Sequence, residues 1–404
     1  MFVSWLRLYR DFLKSQLLFS NSDNHPIVIS NMSLNIKLSI LRETSIHQTN
    51  QPTPLFTYTS DGTAITITGY LGTDSIIDIP SIIDELPVTY IAEFSFQNCM
   101  FATGITIPAS VTGIGDYAFV GCTALTSVII PSSVTALGNY AFLSCSSLVS
   151  IEIPSSITRI GSGTFDGCYA LTTVTLPPSV ESIEYGAFNG CSALTSIEIP
   201  TNCTSIGDYV FQNCISLASV TIPSLVTSIG SSVFAYCSGL TSITIPSSVT
   251  SIGDYLFLQC SALASATILS PVASIGAGTF YGCSVLAAVT LPESITSIGE
   301  YAFLYCTGLP SITIPSSVVS LAQGAFDGCS AFTTITIPAS VSTIDNAAFM
   351  NCDALISANF LGDAPTIFGM DVFNRTPPEF KIYYPLIATG WTTPTWNGYV
   401  TVPV

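Results

Sequence analysis

The chain has 404 residues, of which 48% are apolar and only 8% are charged, and its formal net charge is −17. This apolar content excludes a charge-driven disordered chain. The excess of acids argues against nucleic acid and anionic lipid as partners, because both need cations to neutralise phosphate. Serine, threonine, glycine and proline interrupt every apolar run before it reaches about 18 residues, so the sequence predicts no transmembrane segment.

Residues 1–50 differ from the rest of the chain in charge and pattern. Five of the eight basic residues lie there: Arg7, Arg10, Lys14, Lys37 and Arg42. The apolar stretches of residues 1–20 are short and are divided by Asp11, so they do not match the hydrophobic region of a secretion signal. We predict that residues 1–50 are either disordered or the result of a misassigned start.

Residues 51–94 are predicted to form an N-terminal cap. Asp61-Gly62 separates two runs of alternating apolar and polar residues within positions 56–70, which is a strong hairpin signal. A hairpin at this place would cover the open edge of the first repeat, which would otherwise invite aggregation.

A 23-residue repeat fills residues 95–360. Phenylalanine recurs at this spacing twelve times, from Phe96 to Phe349, and a cysteine follows three residues after each, from Cys99 to Cys352. A fixed period of this length indicates a solenoid, in which units too small to bury their own apolar side chains pack on their neighbours. We therefore predict a repeat solenoid of about twelve copies.

One copy, residues 240–260, illustrates the predicted rung. "LTSITIP" alternates as a half-buried strand does, and Pro246 ends it because proline cannot donate to a central ladder. "SSVTSIG" is predicted to turn the chain, with Gly253 supplying the backbone turn. "DYLFLQC" is predicted to be a short helical or irregular turn that packs Phe257 and Cys260 under the next rung. Stacking would align such pairs in a structural ladder that includes Phe119, Cys122, Phe142, Cys145, Phe257 and Cys260.

The repeat resembles the BspA-type leucine-rich repeat family. Three segments match the repeat pattern of that family closely: "DYAF" (116–119), "EYAF" (300–303) and "IPSSVTSIG" (245–253). The match covers about 95–360. The departures are mild: Leu269 replaces a proline, Phe332 replaces a leucine, and Glu184, Ala322 and Asp345 replace a glycine. The resemblance implies a leucine-rich repeat arc with a parallel β-sheet on one face and β-rich caps. It also implies a surface-exposed or secreted protein of bacteria or protists, of a kind often regarded as an adhesin.

The thirteen cysteines allow three interpretations. Metal binding needs converging ligands, whereas these cysteines lie 23 residues apart and both histidines, His25 and His47, precede the repeats. Disulfides between neighbouring rungs are geometrically conceivable. Cys203, however, stands at the position of Val180 and Val226, where cysteine replaces a small apolar residue. We therefore favour a ladder of buried, reduced thiols.

Catalytic residues are not recognisable in the repeats. Without histidine or lysine, the Ser-His-Asp and Cys-His arrangements cannot be assembled. Glu152 and Glu198 share an outward strand position two rungs apart, about 10 Å by rung spacing, near the separation in an inverting glycosidase. Thr175 lies between them and no third group is evident, so we predict no catalytic, metal-binding or cofactor-binding residues.

The outward strand positions form two columns of hydroxyl side chains. The candidate binding face consists of Thr175, Ser196, Ser219, Thr221, Ser242, Thr244, Ser265, Thr267, Thr290, Ser311, Thr313 and Thr336. Threonine suits an exposed strand in any case, but a solenoid commonly presents such a face to a partner. Threonine columns also resemble those of ice-binding solenoids, which need a flat face rather than an arc.

Residues 361–404 are predicted to form an aromatic-rich C-terminal cap. Trp391, Trp396, Tyr383, Tyr384 and Tyr399 are interpreted as a seal on the apolar spine, with a carbohydrate-stacking patch as the alternative. The sequons at Asn202 and Asn374 matter only in a host that glycosylates asparagine.

The sequence as a whole predicts a non-enzymatic binding scaffold that contacts a protein or glycan ligand through the Ser/Thr-lined face. We expect it at a cell surface or secreted, with a cytoplasmic location as the alternative because no clear signal peptide is recognisable. The first alternative is a structural spacer without a specific ligand. A glycan-acting enzyme and an ice-binding protein are further alternatives.

Overall fold

The computed structural model describes residues 55–404, so the predictions made for residues 1–50 lie outside it. Every regular element in the described range is a β-strand. In chain order the strands are β1 (Phe56–Ser60), β2 (Ile65–Tyr70), β3 (Ile76–Asp78), β4 (Ile82–Ile83), β5 (Leu86–Ile91), β6 (Gly104–Thr106), β7 (Gly113–Ile114), β8 (Ser127–Ile129), β9 (Ala136–Leu137), β10 (Ser150–Glu152), β11 (Arg159–Ile160), β12 (Thr173–Thr175), β13 (Ser182–Ile183), β14 (Ser196–Glu198), β15 (Ser205–Ile206), β16 (Ser219–Thr221), β17 (Ser228–Ile229), β18 (Ser242–Ile245), β19 (Ser251–Ile252), β20 (Ser265–Ile268), β21 (Ser274–Ile275), β22 (Ala288–Thr290), β23 (Ser297–Ile298), β24 (Ser320–Leu321), β25 (Thr334–Ile337), β26 (Thr343–Ile344), β27 (Ser357–Phe360), β28 (Ile367–Phe368), β29 (Lys381–Tyr384), β30 (Thr395–Trp396) and β31 (Tyr399–Pro403).

The strands of successive rungs stack in two parallel rows, which confirms the predicted solenoid. We call these rows ladders A and B, although each is divided into several hydrogen-bonded sheets. Ladder A contains the strands that carry the Ser/Thr columns: β3, β6, β8, β10, β12, β14, β16, β18, β20, β22, β25, β27 and β29. Ladder B contains β5 and the two-residue strands β7, β9, β11, β13, β15, β17, β19, β21, β23, β24, β26 and β28. Equivalent residues pair in register, as Thr244 does with Thr267 in ladder A and Ser205 with Ser228 in ladder B.

Ladder B was not predicted as a sheet. The segment "SSVTSIG", predicted as a turn, contains the strand Ser251–Ile252, which pairs with Ser228–Ile229 of the preceding rung. Val249 is fully buried and Ile252 packs against the core while remaining partly exposed. Two residues of strand per rung are too few for alternation to be visible in one copy, which is why the sequence pattern indicated a turn.

A column of stacked phenylalanine rings forms the centre of the core. From Phe96 to Phe373, each ring lies 5.1–5.8 Å from the next by ring centroids, with interplanar angles of 7–24°. Almost all of these side chains have no exposed surface. Burying one phenylalanine contributes about 1.5–3 kcal/mol, so this column is a major source of stability for each rung.

The segment around each phenylalanine is an irregular turn, not a helix. The residues two before and two after the phenylalanine both have positive φ in every rung, near +55 to +59° and +57 to +74° respectively. Tyr255 and Gln259 are the pair in the rung of Phe257. Two left-handed residues four positions apart cannot belong to a right-handed helix, so the irregular alternative of the sequence prediction is the correct one.

Gly253 has a different role from the one predicted. Its φ is not in the left-handed region; instead, a Cβ atom at this position would lie 2.3 Å from the backbone nitrogen of Ser231 in the preceding rung. The glycines that recur at this position in most rungs, the glycine column, therefore permit close approach of neighbouring rungs rather than a turn.

The predicted N-terminal hairpin is present. β1 pairs with β2 in antiparallel fashion, and β2 continues in parallel onto β5, the first strand of ladder B. Phe56 and Tyr70 lie against Phe96, with centroid distances of 6.4 and 6.1 Å. The hairpin thus covers both the ladder edge and the first ring of the phenylalanine column.

At the other end, stacking continues beyond position 360 with a longer step. Ser357 pairs with Lys381, and the ring of Phe373 stacks on that of Phe349 at 5.3 Å. Tyr399 then meets Phe373 edge-on at 5.4 Å, at an interplanar angle of 88°. Trp396 is buried. Aromatic side chains therefore lie over the last ring of the column.

Ladder A lacks a strand in one rung. Residues 311–314 have no assigned strand, although they carry the same "SITI" sequence as β18. In earlier rungs the preceding residue donates its N–H to the carbonyl 23 residues before it, as Ala264 does to Thr241 and Ala287 to Ala264. Pro310 occupies this position and has no N–H to donate, so this bond is missing from the rung. Ladder A is also unpaired between β8 and β10, β12 and β14, and β16 and β18.

Candidate functional site

The predicted hydroxyl face lies on the outer surface of ladder A. Its side chains belong to the first and third residues of the strands, which point away from the core because side chains alternate along a strand. Eleven of the twelve predicted residues are exposed, and Thr267 is half-buried. Ser311 and Thr313 belong to the rung without an assigned strand. The structure therefore brings all twelve together on one surface.

The hydroxyls of this face differ from the other threonine hydroxyls of the molecule. Most threonines that directly precede a strand donate their hydroxyl to the carbonyl of the preceding rung, as Thr227 does to Thr204 and Thr250 does to Thr227, at 3.2 and 3.3 Å. Within residues 55–404, the hydroxyls of Thr221 and Thr244 have no such partner in the chain. The face hydroxyls are therefore available to solvent or to a ligand.

A depression of about 410 Å³ lies within this face. It is lined by two adjacent rungs, β14 and β16, and by the residues that follow them. Ser196, Ser219 and Thr221 of the predicted face contribute hydroxyls, and Glu198 contributes a carboxylate. Hydroxyls both donate and accept hydrogen bonds, whereas a carboxylate only accepts, so the depression offers both kinds of group to a partner.

The two glutamates of the face stand where the sequence placed them. Glu152 pairs in register with Thr175, and Glu198 pairs in register with Thr221. Both carboxylates are exposed. The repeats supply neither a histidine nor a lysine that could act beside them as acid, base or orienting group.

The acids of the turn segments have a structural role that the sequence reasoning missed. Asp208 and Asp254 each accept the backbone N–H of the equivalent residue in the next rung, at 2.7 and 2.8 Å. Asn139 does the same for Ser162 at 3.0 Å. The signal was available, since Asp or Asn recurs directly after the glycine column, but one copy alone does not reveal a contact between rungs.

The cysteine column is buried and its thiols are free. From Cys122 to Cys352, each in-register thiol donates to the carbonyl of the phenylalanine 26 residues earlier, for example Cys260 to Phe234 at 3.0 Å. Burial raises the pKa of Cys237 and Cys283 to about 12. A thiol held in the neutral form is a poor nucleophile and metal ligand, so this column acts as core.

Cys203 is likewise buried, at the position of a valine in other rungs. Burial raises its pKa as well. Among residues 55–404, no three His, Cys, Asp or Glu side chains are arranged to hold a metal ion. The described part of the chain also contains no helix long and apolar enough to cross a bilayer.

Comparison with known proteins agrees with this architecture. The model of the BspA type leucine rich repeat region matches six times, within residues 89–214, 181–289 and 273–382. No curated protein sequence matches the chain.

Several solved structures are similar. A leucine-rich repeat protein from Bacteroides ovatus is 28% identical, with a TM-score of 0.63 over 83% of this chain and 100% of that one. The pneumococcal vaccine antigen PcpA is 19% identical, with a TM-score of 0.57 over 82% of this chain and 92% of that one. A leucine-rich cell surface protein from Faecalibacterium prausnitzii is 29% identical over 77% of this chain and 94% of that one, with a TM-score of 0.49.

One assignment follows from the sequence of the repeat, from the two stacked ladders and from the extent of the family match. The chain belongs to the BspA-type leucine-rich repeat family.

Proposed function

We propose that this protein is a non-enzymatic, adhesin-like binding scaffold, at a cell surface or secreted, that contacts a protein or glycan through the hydroxyl face of ladder A. The observation that carries the proposal is the division of the threonine hydroxyls into two groups. Most of those before the strands are hydrogen-bonded to the preceding rung, and those of the face have no partner in the described chain.

The composition of the face supports extended, polar contact. Its hydroxyls form columns over many rungs, and arginine and tryptophan, which often dominate compact interfaces, do not occur in them. Affinity would then come from many modest hydrogen bonds over a long surface. Membership of a leucine-rich repeat family is in keeping with this use of a solenoid face.

The test replaces four face threonines, Thr221, Thr244, Thr267 and Thr290, with glutamate. Glu152 and Glu198 already occupy this column, so the fold should tolerate the change. We expect binding to purified extracellular-matrix proteins or immobilised glycans to fall at least about tenfold, because each lost contact is worth about 0.5–1.5 kcal/mol. Surface plasmon resonance on the full chain measures this.

The matched control adds four glutamates at Ser155, Ser224, Ser247 and Ser316. These exposed serines follow the proline after each strand of ladder A, a position where Glu293 already stands. Both variants change the net charge equally, so a selective loss in the face variant supports the proposal. If the face variant instead binds as strongly as the control variant, the result would favour a structural spacer.

A further inference from the structure

One part of ladder B departs from the repeat. Where most rungs carry glycine and then a polar residue after the strand, the rung of residues 182–189 carries Glu184 and Tyr185. The preceding rung carries Arg159, the only basic residue between positions 43 and 374. Proteins tend to break their own local rules at functional sites. Arg159, Glu184 and Tyr185 thus form a cluster of neighbouring residues that differ from the repeat pattern.

Arg159 and Glu184 form an ion pair across two rungs. Nη1 of Arg159 lies 2.9 Å from Oε1 and 2.8 Å from Oε2 of Glu184. An exposed pair contributes little to stability, so its main consequence is geometric. It holds a side chain in place at a position where most other rungs have only glycine.

The ring of Tyr185 stands next to this pair. It is 51% exposed, and it meets the ring of Tyr209 edge-on, with 5.3 Å between centroids and an interplanar angle of 65°. A tyrosine ring that is held by a neighbour but is half open to solvent offers an apolar face together with a polar hydroxyl.

A groove of about 610 Å³ extends from Glu184 and Tyr185 along ladder B to Gly253. This volume lies within the range of about 300–1,000 Å³ that is usual for small-ligand sites. Apart from Glu184 and Tyr185, its polar lining consists of short side chains: Ser162, Ser205, Asp208, Ser228, Ser231 and Ser251. Three isoleucines, Ile183, Ile206 and Ile229, form its apolar lining.

We propose that this groove binds an uncharged oligosaccharide. The serine hydroxyls donate and accept, and the carboxylates of Glu184 and Asp208 accept, which suits a ligand covered in hydroxyls. The open ring of Tyr185 suits the apolar face of a pyranose. The strongly acidic chain repels anionic glycans and phosphates, and the hydroxyls and carboxylates along the groove do not suit a purely apolar ligand.

This site is separate from the hydroxyl face. The groove lies over ladder B, whereas the face lies on ladder A, and no residue is shared between the two sets. The glutamate variant of the face should therefore retain the groove's ligand, and a groove variant should retain face binding. Failure of one proposal leaves the other intact.

The experiment titrates the full chain with neutral hexasaccharides (cello-, xylo-, malto-, manno- and N-acetylated chito-oligomers) by saturation-transfer NMR and calorimetry. The test variants are Tyr185→Asp and Glu184→Gly, each of which restores the residue found in other rungs and should fold. The control is Tyr301→Gly, which removes a tyrosine two rungs beyond Gly253 and five rungs beyond Tyr185, at a position where Gly278 and Gly324 already stand.

We expect at least one oligosaccharide to bind the wild-type chain and Tyr185→Asp to bind it about tenfold more weakly, as loss of an aromatic contact predicts. Glu184→Gly should weaken binding less, and Tyr301→Gly should bind like the wild type. The proposal is overturned if no oligosaccharide of the panel binds the wild-type chain at millimolar concentration, or if Tyr185→Asp binds with unchanged affinity.

Discussion

Ladders A and B are built from the same rungs but expose different chemistry. Ladder A has strands of mostly three or four residues whose outward hydroxyls, apart from that of Thr334, have no partner in the described chain, and Pro310 removes one bond between its rungs. Ladder B has two-residue strands that continue through the neighbouring rungs, where Ser297 pairs with Ser320 and Ser320 with Thr343. Most of the threonines that precede its strands donate their hydroxyl to a carbonyl of the preceding rung. A repeated threonine is therefore structural or available according to its place relative to the strand.

The largest expected effect comes from the column that both ladders share. Phe257 has no exposed surface and stacks between Phe234 and Phe280 at 5.8 and 5.4 Å. Phe257→Ala should lower the free energy of unfolding by about 3–5 kcal/mol, as removal of a buried phenylalanine usually does. Urea unfolding measures the change, and Ser247→Ala, at an exposed serine, serves as the control.

Hydrogen exchange on the same variant examines whether the ladders depend on one spine. Strands β18 to β21 of ladders A and B flank Phe257, so amides of both should lose protection together. Loss confined to one ladder would show that the two sheets are stabilised independently, contrary to the single core described above.

A smaller effect on stability is expected from the carboxyl group of Asp166, which differs from the exposed carboxylates of ladder A. Asp166 lies in the turn after ladder B, and burial raises its pKa to about 6, while Asn189 donates to its Oδ1 at 3.0 Å. Because the folded chain holds this proton more tightly than the unfolded one, Asp166 should lower stability progressively as pH rises from about 4 to about 6.

Asp166→Asn should therefore be more stable than the wild type at pH 7, by at most about 3 kcal/mol, and equally stable near pH 3. Urea midpoints at pH 3, 5 and 7 check this. Glu152→Gln removes the same charge from the exposed face of ladder A and corrects for the general reduction of repulsion. A constant difference between Asp166→Asn and wild type at all three pH values would refute the assignment.

Much of the fold could be predicted from the sequence because its determinants repeat. The 23-residue step of Phe and Cys fixed the stacked core, and Asp61-Gly62 indicated the hairpin. The side-chain alternation of the "SIT" segments placed the hydroxyl face on one surface. These signals lie within one copy or in the spacing of copies, where sequence patterns are most informative.

Contacts between rungs could not be read in the same way. The close approach at Gly253, the carboxylate of Asp208 on the next rung's N–H, and the strand Ser251–Ile252 all depend on a neighbour 23 residues away. Pro310 removes one bond between rungs of ladder A because a carbonyl one rung earlier loses its donor. Arg159 and Glu184 were visible as departures, but their pairing needed the register of β11 and β13.

The smallest expected change in unfolding free energy comes from removing a single threonine hydroxyl, and it tests the difference between the two kinds of threonine directly. Thr227→Val removes a hydroxyl that donates to Thr204 at 3.2 Å, so it should cost about 0.5–1 kcal/mol of unfolding free energy. Thr244→Val removes a hydroxyl without a partner in the described chain, and should change stability by less than about 0.5 kcal/mol. The substitution is the same at two exposed sites, so differences in strand propensity largely cancel. Urea midpoints at constant m-value measure both. An equal cost at Thr244 would contradict the division into bonded and available hydroxyls, and with it the observation on which the binding face depends.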